Sequence, residues 1–158
     1  MPFDPAKFRS VVGRFASGVT ILTARDESGV DHGMTVSAFC SLSLEPPLVL
    51  VCVERIAEMH DVLESASQFA VNILASGQES ISRRFAERIK DRFDGIGFGR
   101  GVSGSPLLHG TLAHVECTVR KRLNGGDHSI FIGEVIDAEA RAERPLLYYR
   151  GGYAQLER

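Results

Sequence analysis

Four hydroxyls and a phenyl ring fall on one face of the segment HGMTVSAFCSLSLEPP, His32 to Pro47, when it is read as a strand. Side chains alternate along a strand, so Thr35, Ser37, Phe39, Ser41 and Ser43 share one side and Val36, Ala38, Cys40, Leu42 and Leu44 the other. The second set predicts a core face. The first is too polar for a second core, although Thr and Ser also decorate ordinary half-exposed antiparallel strands. So many short donors beside a stacking surface are what a planar, polar-edged, phosphorylated cofactor needs.

Other chemistry finds little support in local sequence. His32, His60, His109, His114 and His128 show no metal-ligand spacing, and there is no His-Glu-x-x-His pair. No metal is expected unless distant segments assemble a site. There is no Gly-x-Ser-x-Gly nucleophile elbow. The run GRGVSG, Gly99 to Gly104, matches G-x-G-x-x-G in form only, because no buried strand precedes it and Pro106 follows where a helix should begin. His128 is singled out because it follows the turn NGGD and leads a buried strand, where it could project into the mouth of a barrel, although position alone favours an exposed turn histidine. Arg83, Arg84 and Phe85 read as a solvated helix face plus one core ring, unless a phosphate accepts a guanidinium fork.

The elements that must position these residues begin with a helix capped by Asp4 and opening at Pro5, with Phe8, Val11, Val12 and Phe15 at helical spacing before Gly18. VTILTA is a β-branched strand, RDESGVD a hairpin loop, and the hydroxyl-bearing segment the returning strand. Pro46 and Pro47 end that strand, and LVLVCVE is predicted as a third, more completely buried one. EMHDVLESAS is a short helix and FAVNILA a strand. SGQESISRRFAERI is a helix carrying Ile81, Phe85 and Ile89 on one face. Lys90 to Gly110 is glycine-rich without any period and predicts a long surface loop. TLAHVECTVRKRL and HSIFIGEVIDAEAR flank NGGD as the strongest hairpin signal, and RPLLYYRGGYAQL is a final extended segment. Short turns and the lack of regular βαβα alternation predict a mainly β, α+β fold, an antiparallel barrel with peripheral helices.

A chain of 158 residues fits one domain, 1–158. With 44% hydrophobic and 24% charged residues and a net charge of -2, there is no basic footprint for nucleic acid. The run PLVLVCV falls far short of the ~20 residues a membrane span needs, and MPFDPAKF lacks the pattern of a secretory signal. Cys40, Cys52 and Cys117, odd in number and set in apolar runs, predict buried free thiols in a reducing compartment, hence the cytoplasm.

The segments FRSVVGRFASGVTILTA, GMTVSAFCSLSLEPPLVLVCV, FAVNIL, SRRFA, GDHSIFIGEV and LLYYRGGY, in this order over nearly the whole chain, resemble the short-chain flavin reductase family. These are the small reductase components that serve two-component flavin-dependent monooxygenases. The resemblance implies an FMN-binding split barrel and a homodimer with flavin near the subunit interface. It also implies NADH or NADPH as reductant, FMN or FAD as hydride acceptor, and a monooxygenase that receives the reduced flavin.

On the matching positions, Thr35, Val36, Ser37 and Ala38 would line the isoalloxazine ring, with Ser41 and Leu42 nearer the ribityl chain and phosphate. Cys52, Val53 and Glu54 would approach from the next strand. Asn72, Arg84 and Phe85 would complete the cradle, Arg84 facing the phosphate. His128 and the segment Arg150, Gly151, Gly152 and Tyr153 would meet the nicotinamide nucleotide, His128 orienting its ring. Hydride passes between the two cofactors, so no nucleophile or carboxylate pair is required of the protein. Two readings stay open beside this one: a split-barrel flavoprotein that holds FMN as a binding or electron-transfer module with little turnover, and a pyridoxamine-phosphate-oxidase-like enzyme on a related barrel.

Overall fold

The computed structural model describes residues 2–157. In chain order its elements are α1 (Pro5–Val12), β1 (Ser17–Gly18), β2 (Thr20–Arg25), β3 (Asp31–Val36), β4 (Phe39–Ser43), β5 (Leu48–Glu54), α2 (Glu58–Ser65), β6 (Gln68–Ile73), α3 (Glu79–Ala86), β7 (Phe98–Arg100), β8 (Pro106–Leu108), β9 (Ala113–Gly125), β10 (His128–Ala140), β11 (Leu146–Tyr149) and β12 (Gly152–Gln155). The fold is mainly β and antiparallel, with three helices.

Its principal sheet has seven strands in the order β3-β2-β6-β9-β10-β5-β4. Its two margins, β3 and β4, are consecutive in the chain and separated only by Ser37 and Ala38. At ~3.3–3.6 Å of reach per residue, that link brings the first and last strands close together, so the sheet must curl. The hydroxyl-bearing segment is therefore two strands rather than one. Its first half pairs with β2 and its second with β5. The alternation predicted across the whole segment breaks at Ser37, and of its expected core face only Val36 is buried. Ala38, Cys40, Leu42 and Leu44 are exposed.

Burial explains the apolar runs. Every residue of β2 from Thr20 to Ala24 is buried, because Leu22 and Ala24 join a core with Val51, Val53, Phe69, Val71 and Phe131 while Ile21 joins a second core with Leu74, Phe85, Leu108 and Leu146. The second core covers the sheet's outer side beneath α3 and β8. β5 is different. Val49, Val51 and Val53 are buried, whereas Leu48, Leu50, Cys52 and Glu54 are only half-buried, so complete burial of this strand is not what the fold provides. An uninterrupted apolar run cannot reveal which face lacks a cover.

The segment 90–110 is not a structureless loop. It contains the β7–β8 hairpin, and Ser105 and Leu108 are buried. GRGVSG forms the tip and flank of that hairpin, and no helix follows it. The terminal extended segment is likewise a hairpin, β11 with β12, closed by Arg150 and Gly151 at φ 52° and 76°. Two positive φ values make a mirror-image turn that suits strand twist, and glycine bears the second at no steric cost. α1 is capped as expected, with Asp4 accepting from the Ala6 amide at 3.0 Å, but none of its residues is buried. α3 stops at Ala86, short of Ile89.

The cysteines divide by environment: Cys117 is buried, Cys52 half-buried and Cys40 exposed. The expectation of three buried thiols fails at Cys40 because β4 is a margin with no covering layer. Burial, with Glu116 beside it, pushes the Cys117 thiol up to about 12. No helix is long and apolar enough to cross a membrane among the described residues.

Candidate functional site

Three of the expected segments converge at the C-terminal end of β3. Thr35 Oγ1 donates to the Ser82 carbonyl on α3 at 2.6 Å, and Ser82 Oγ lies 2.7 Å from the Tyr153 hydroxyl on β12. The Arg83 guanidinium sits 4.9 Å from the centroid of the Tyr153 ring, a cation over an aromatic face. The β11–β12 turn is held to the end of α1 by the Arg150 amide, which donates to the Gly13 carbonyl at 3.0 Å. Just beyond Thr35, Ser37 and Ala38 are exposed and belong to neither strand. Their amides lie outside the ladder, so they are open to a ligand's polar edge.

A second group lies on β4, β5 and β10. His128 stands directly opposite Glu54, and Ile130 opposite Cys52. Directly paired residues project to the same face, so Glu54, Cys52, His128 and Ile130 share one half-buried surface. The Cys52 amide donates to the Ala38 carbonyl at 3.0 Å, which ties this surface to the seam between β3 and β4. His128 Nδ1 lies 2.7 Å from Asp127 Oδ1, and this hydrogen bond holds the Asp127 carboxyl below its usual range. Burial raises the Cys52 thiol, with Cys40 nearby adding to the shift. Ser41 and Leu42, on β4, are exposed.

Other expected residues take different positions. Phe85 is fully buried, and its ring lies where a Cβ on Gly33 would sit, so it packs against the sheet rather than a ligand. Asn72 is fully buried as well: its amide donates to the Ile21 carbonyl at 3.0 Å and its carbonyl accepts from the Leu108 amide at 2.9 Å. It fastens β8 to the sheet. The Val36 and Val53 side chains point into the core, leaving only their backbones near a ligand. Arg84 donates through Nε to the Arg92 carbonyl and through Nη2 to the carbonyls of Asp91 and Asp94, at 2.6, 3.0 and 3.0 Å. Its guanidinium is committed to the 91–94 turn.

That turn walls a cavity of about 810 Å³ at the other end of β3, lined among others by His32, Gly33, Met59, Lys90, Arg92 and Phe93. His32 Nε2 lies 2.8 Å from Asp26 Oδ2, and that bond lowers the Asp26 carboxyl. Arg92 Nη1 donates to the Gly33 carbonyl at 2.7 Å, whereas its buried Nε finds no partner among the described residues. Sequence reasoning missed Ser82, Arg83 over Tyr153, and Arg92. The SRRF motif signalled Arg83 without its partner Tyr153, and the charged DRFDG cluster inside an otherwise glycine-rich stretch was a signal for Arg92. Taken together, the arrangement can bind, stack and orient; it offers hydroxyls, backbone amides and the exposed Arg83 guanidinium.

Residues 12–157 match the family model described as flavin reductase like domain. The reductase subunit HsaB of a flavin-dependent monooxygenase from Rhodococcus jostii is 44% identical over 155 residues, covering 98% of this chain and 79% of the relative. An NADH-dependent FAD reductase from Streptomyces globisporus is 42% identical over 156 residues, covering 96% and 85%. Among solved structures, the Streptomyces globisporus NADH:FAD oxidoreductase in complex with NAD and FAD fragments superposes with a TM-score of 0.93 at 40% identity, over 99% of this chain and 96% of that one.

Proposed function

The chain belongs to the flavin reductase like family, and on that premise we propose that it is an NAD(P)H:flavin oxidoreductase. It moves hydride from NADH or NADPH to FMN or FAD and releases the reduced flavin to a partner monooxygenase. The observation that carries this reading is the convergence of Thr35, Ser82, Arg83 and Tyr153 beside the exposed Ser37–Ala38 link. Flavin supplies the hydride acceptor, and the chain supplies position and polarity. The amides of Ser37 and Ala38 bond the polar edge of the flavin ring, where preorganised donors favour charge gathered on reduction. Cys52 and Glu54 border the ring, with Ser41 and Leu42 along its tail. His128 and the Arg150–Tyr153 turn receive the nicotinamide nucleotide.

The anion role passes from Arg84 to Arg83, whose guanidinium is exposed, lies over the Tyr153 ring and makes a 3.5 Å contact with Glu79. Two features support a split barrel closed around this site: the seven-stranded order and the two-residue link between its margins. Dimerisation through the half-buried face of β5 and β10 is supported by its apolar character, with Leu50, Cys52, Ile130 and Ile132 together on it.

The test is a steady-state assay crossing FMN and FAD with NADH and NADPH. Sustained nucleotide oxidation in excess free flavin is the expected result, and His128→Ala should raise the apparent KM for the nucleotide several-fold with flavin affinity little changed. A protein that purifies yellow yet oxidises no nucleotide when flavin is added is instead a flavin-holding module.

A further inference from the structure

Glu116 lies on β9 with its side chain wholly buried. One of its carboxylate oxygens, Oε1, accepts from the Ser103 amide at 2.9 Å and from the Ser103 hydroxyl at 2.6 Å. The other, Oε2, finds no hydrogen-bond partner among the described residues. A buried carboxylate oxygen left without a donor costs its full desolvation, which native proteins rarely tolerate unless an ion or water meets it.

The strand register brings two more ligand types to the same place. His114 precedes Glu116 by two residues and so projects to the same face, and Asp137 is the direct partner of Glu116 on β10. A register shift between Val135 and Asp137 inserts an extra residue there, as bulges do where a side chain must be re-aimed. One ring nitrogen of His114 and one oxygen each of Glu116 and Asp137 lie within 4.8 Å of one another. Gly101, from the β7–β8 loop, lies over the carboxylate, and a Cβ there would collide with it. His114 is half-buried and Asp137 exposed, so the site opens to solvent on the Asp137 side while its floor is dry.

We propose that His114, Glu116 and Asp137 bind one divalent first-row transition-metal ion, which fastens the β7–β8 loop to the β9–β10 hairpin. One imidazole and two carboxylates suit Zn2+ or Mn2+ rather than Ca2+, which takes oxygen ligands alone. Metal–ligand bonds of about 2.0–2.2 Å require neighbouring ligand atoms about 3.3 Å apart, a contraction that rotation of the exposed Asp137 side chain provides. The Ser103 hydrogen bonds supply the outer contacts that orient a ligating carboxylate. No reacting group is involved, so this role is independent of flavin reduction.

The experiment is calorimetric titration of the flavin-free protein with Zn2+ and with Mn2+, together with metal analysis of the loaded protein and its thermal midpoint. One ion per chain and a rise of several degrees in the midpoint are expected. His114→Ala and Asp137→Asn, whose side chains are not in the core, should each weaken binding at least about tenfold while leaving the metal-free midpoint within a degree or two. Cys40→Ser serves as a control, since an exposed thiol also attracts zinc; it should bind as the wild type does. The inference falls if neither ion binds saturably, if His114→Ala and Asp137→Asn bind as the wild type does, or if Cys40→Ser abolishes binding.

Discussion

The guanidinium of Arg84 reaches three carbonyls of the 91–94 turn, whereas its neighbour Arg83 lies over Tyr153 with its charge turned to solvent. Truncating them should therefore produce different defects. Arg83→Ala should weaken FMN by about tenfold and riboflavin hardly at all, because an exposed charge-assisted contact to phosphate is lost. Arg84→Ala should weaken both flavins alike and speed proteolysis within residues 87–95, since three carbonyls lose their donor. Fluorescence titration with the two flavins separates these outcomes. The motif SRRF was legible as a place where an anion could bind, but adjacent helical residues differ by about 100° in direction, and only packing decides which faces out. Asn72 illustrates the converse. A polar residue inside FAVNIL looks like a ligand-facing group, and the fold spends it on the β8 backbone.

At the level of elements, the strongest constraint is steric. Gly133 on β10 faces Phe69 and Cys117, and a Cβ there would lie 2.6 Å from both the Phe69 ring and the Cys117 Cβ. Gly133→Ala should cost about 1–3 kcal/mol of unfolding free energy, measured in urea, because neither neighbour can retreat from the core. Burial, with Glu116 beside it, also raises the Cys117 thiol. Its folded-state value of about 12 lies above that of an exposed cysteine, so the folded chain holds a proton that the unfolded chain releases. This contribution is constant below about pH 8.5 and erodes stability as pH rises from there toward 12. Strand existence was readable from alternation and β-branched runs. The break at Ser37 was not, because Thr35 to Phe39 carries no glycine or proline to mark it, and the reason for the break is that one half pairs with β2 and the other with β5. β7 and β8 were hidden for a similar reason: strands of three residues are too short to show a period.

For the whole molecule, the uncovered face of β5 and β10 is the main unfinished business of the single chain. Leu50, Cys52, Ile130 and Ile132 are apolar and half-buried, with nothing among the described residues completing the cover. A proline-bounded apolar run gave the strand, but the run looks the same whether its second face meets its own chain or another copy. If that face is the subunit interface, Ile130→Asp should yield a folded monomer by light scattering, with flavin affinity reduced because the proposed flavin site lies alongside. A variant that keeps its mass would move the interface elsewhere, the exposed apolar side of α1 with Phe8, Val11 and Val12 being the next surface to test.

The two-residue link between β3 and β4 also fixes the order in which the sheet can be assembled during synthesis. The chain makes both margins of the principal sheet early, whereas the strands that join them, β6, β9 and β10, emerge afterwards. Until the β9–β10 hairpin leaves the ribosome, β5 has a neighbour on one side only, and so does β6. Such unpaired edges are sticky. The middle of the sheet is thus laid last, and an interrupted chain is left with two ribbons and no keystone.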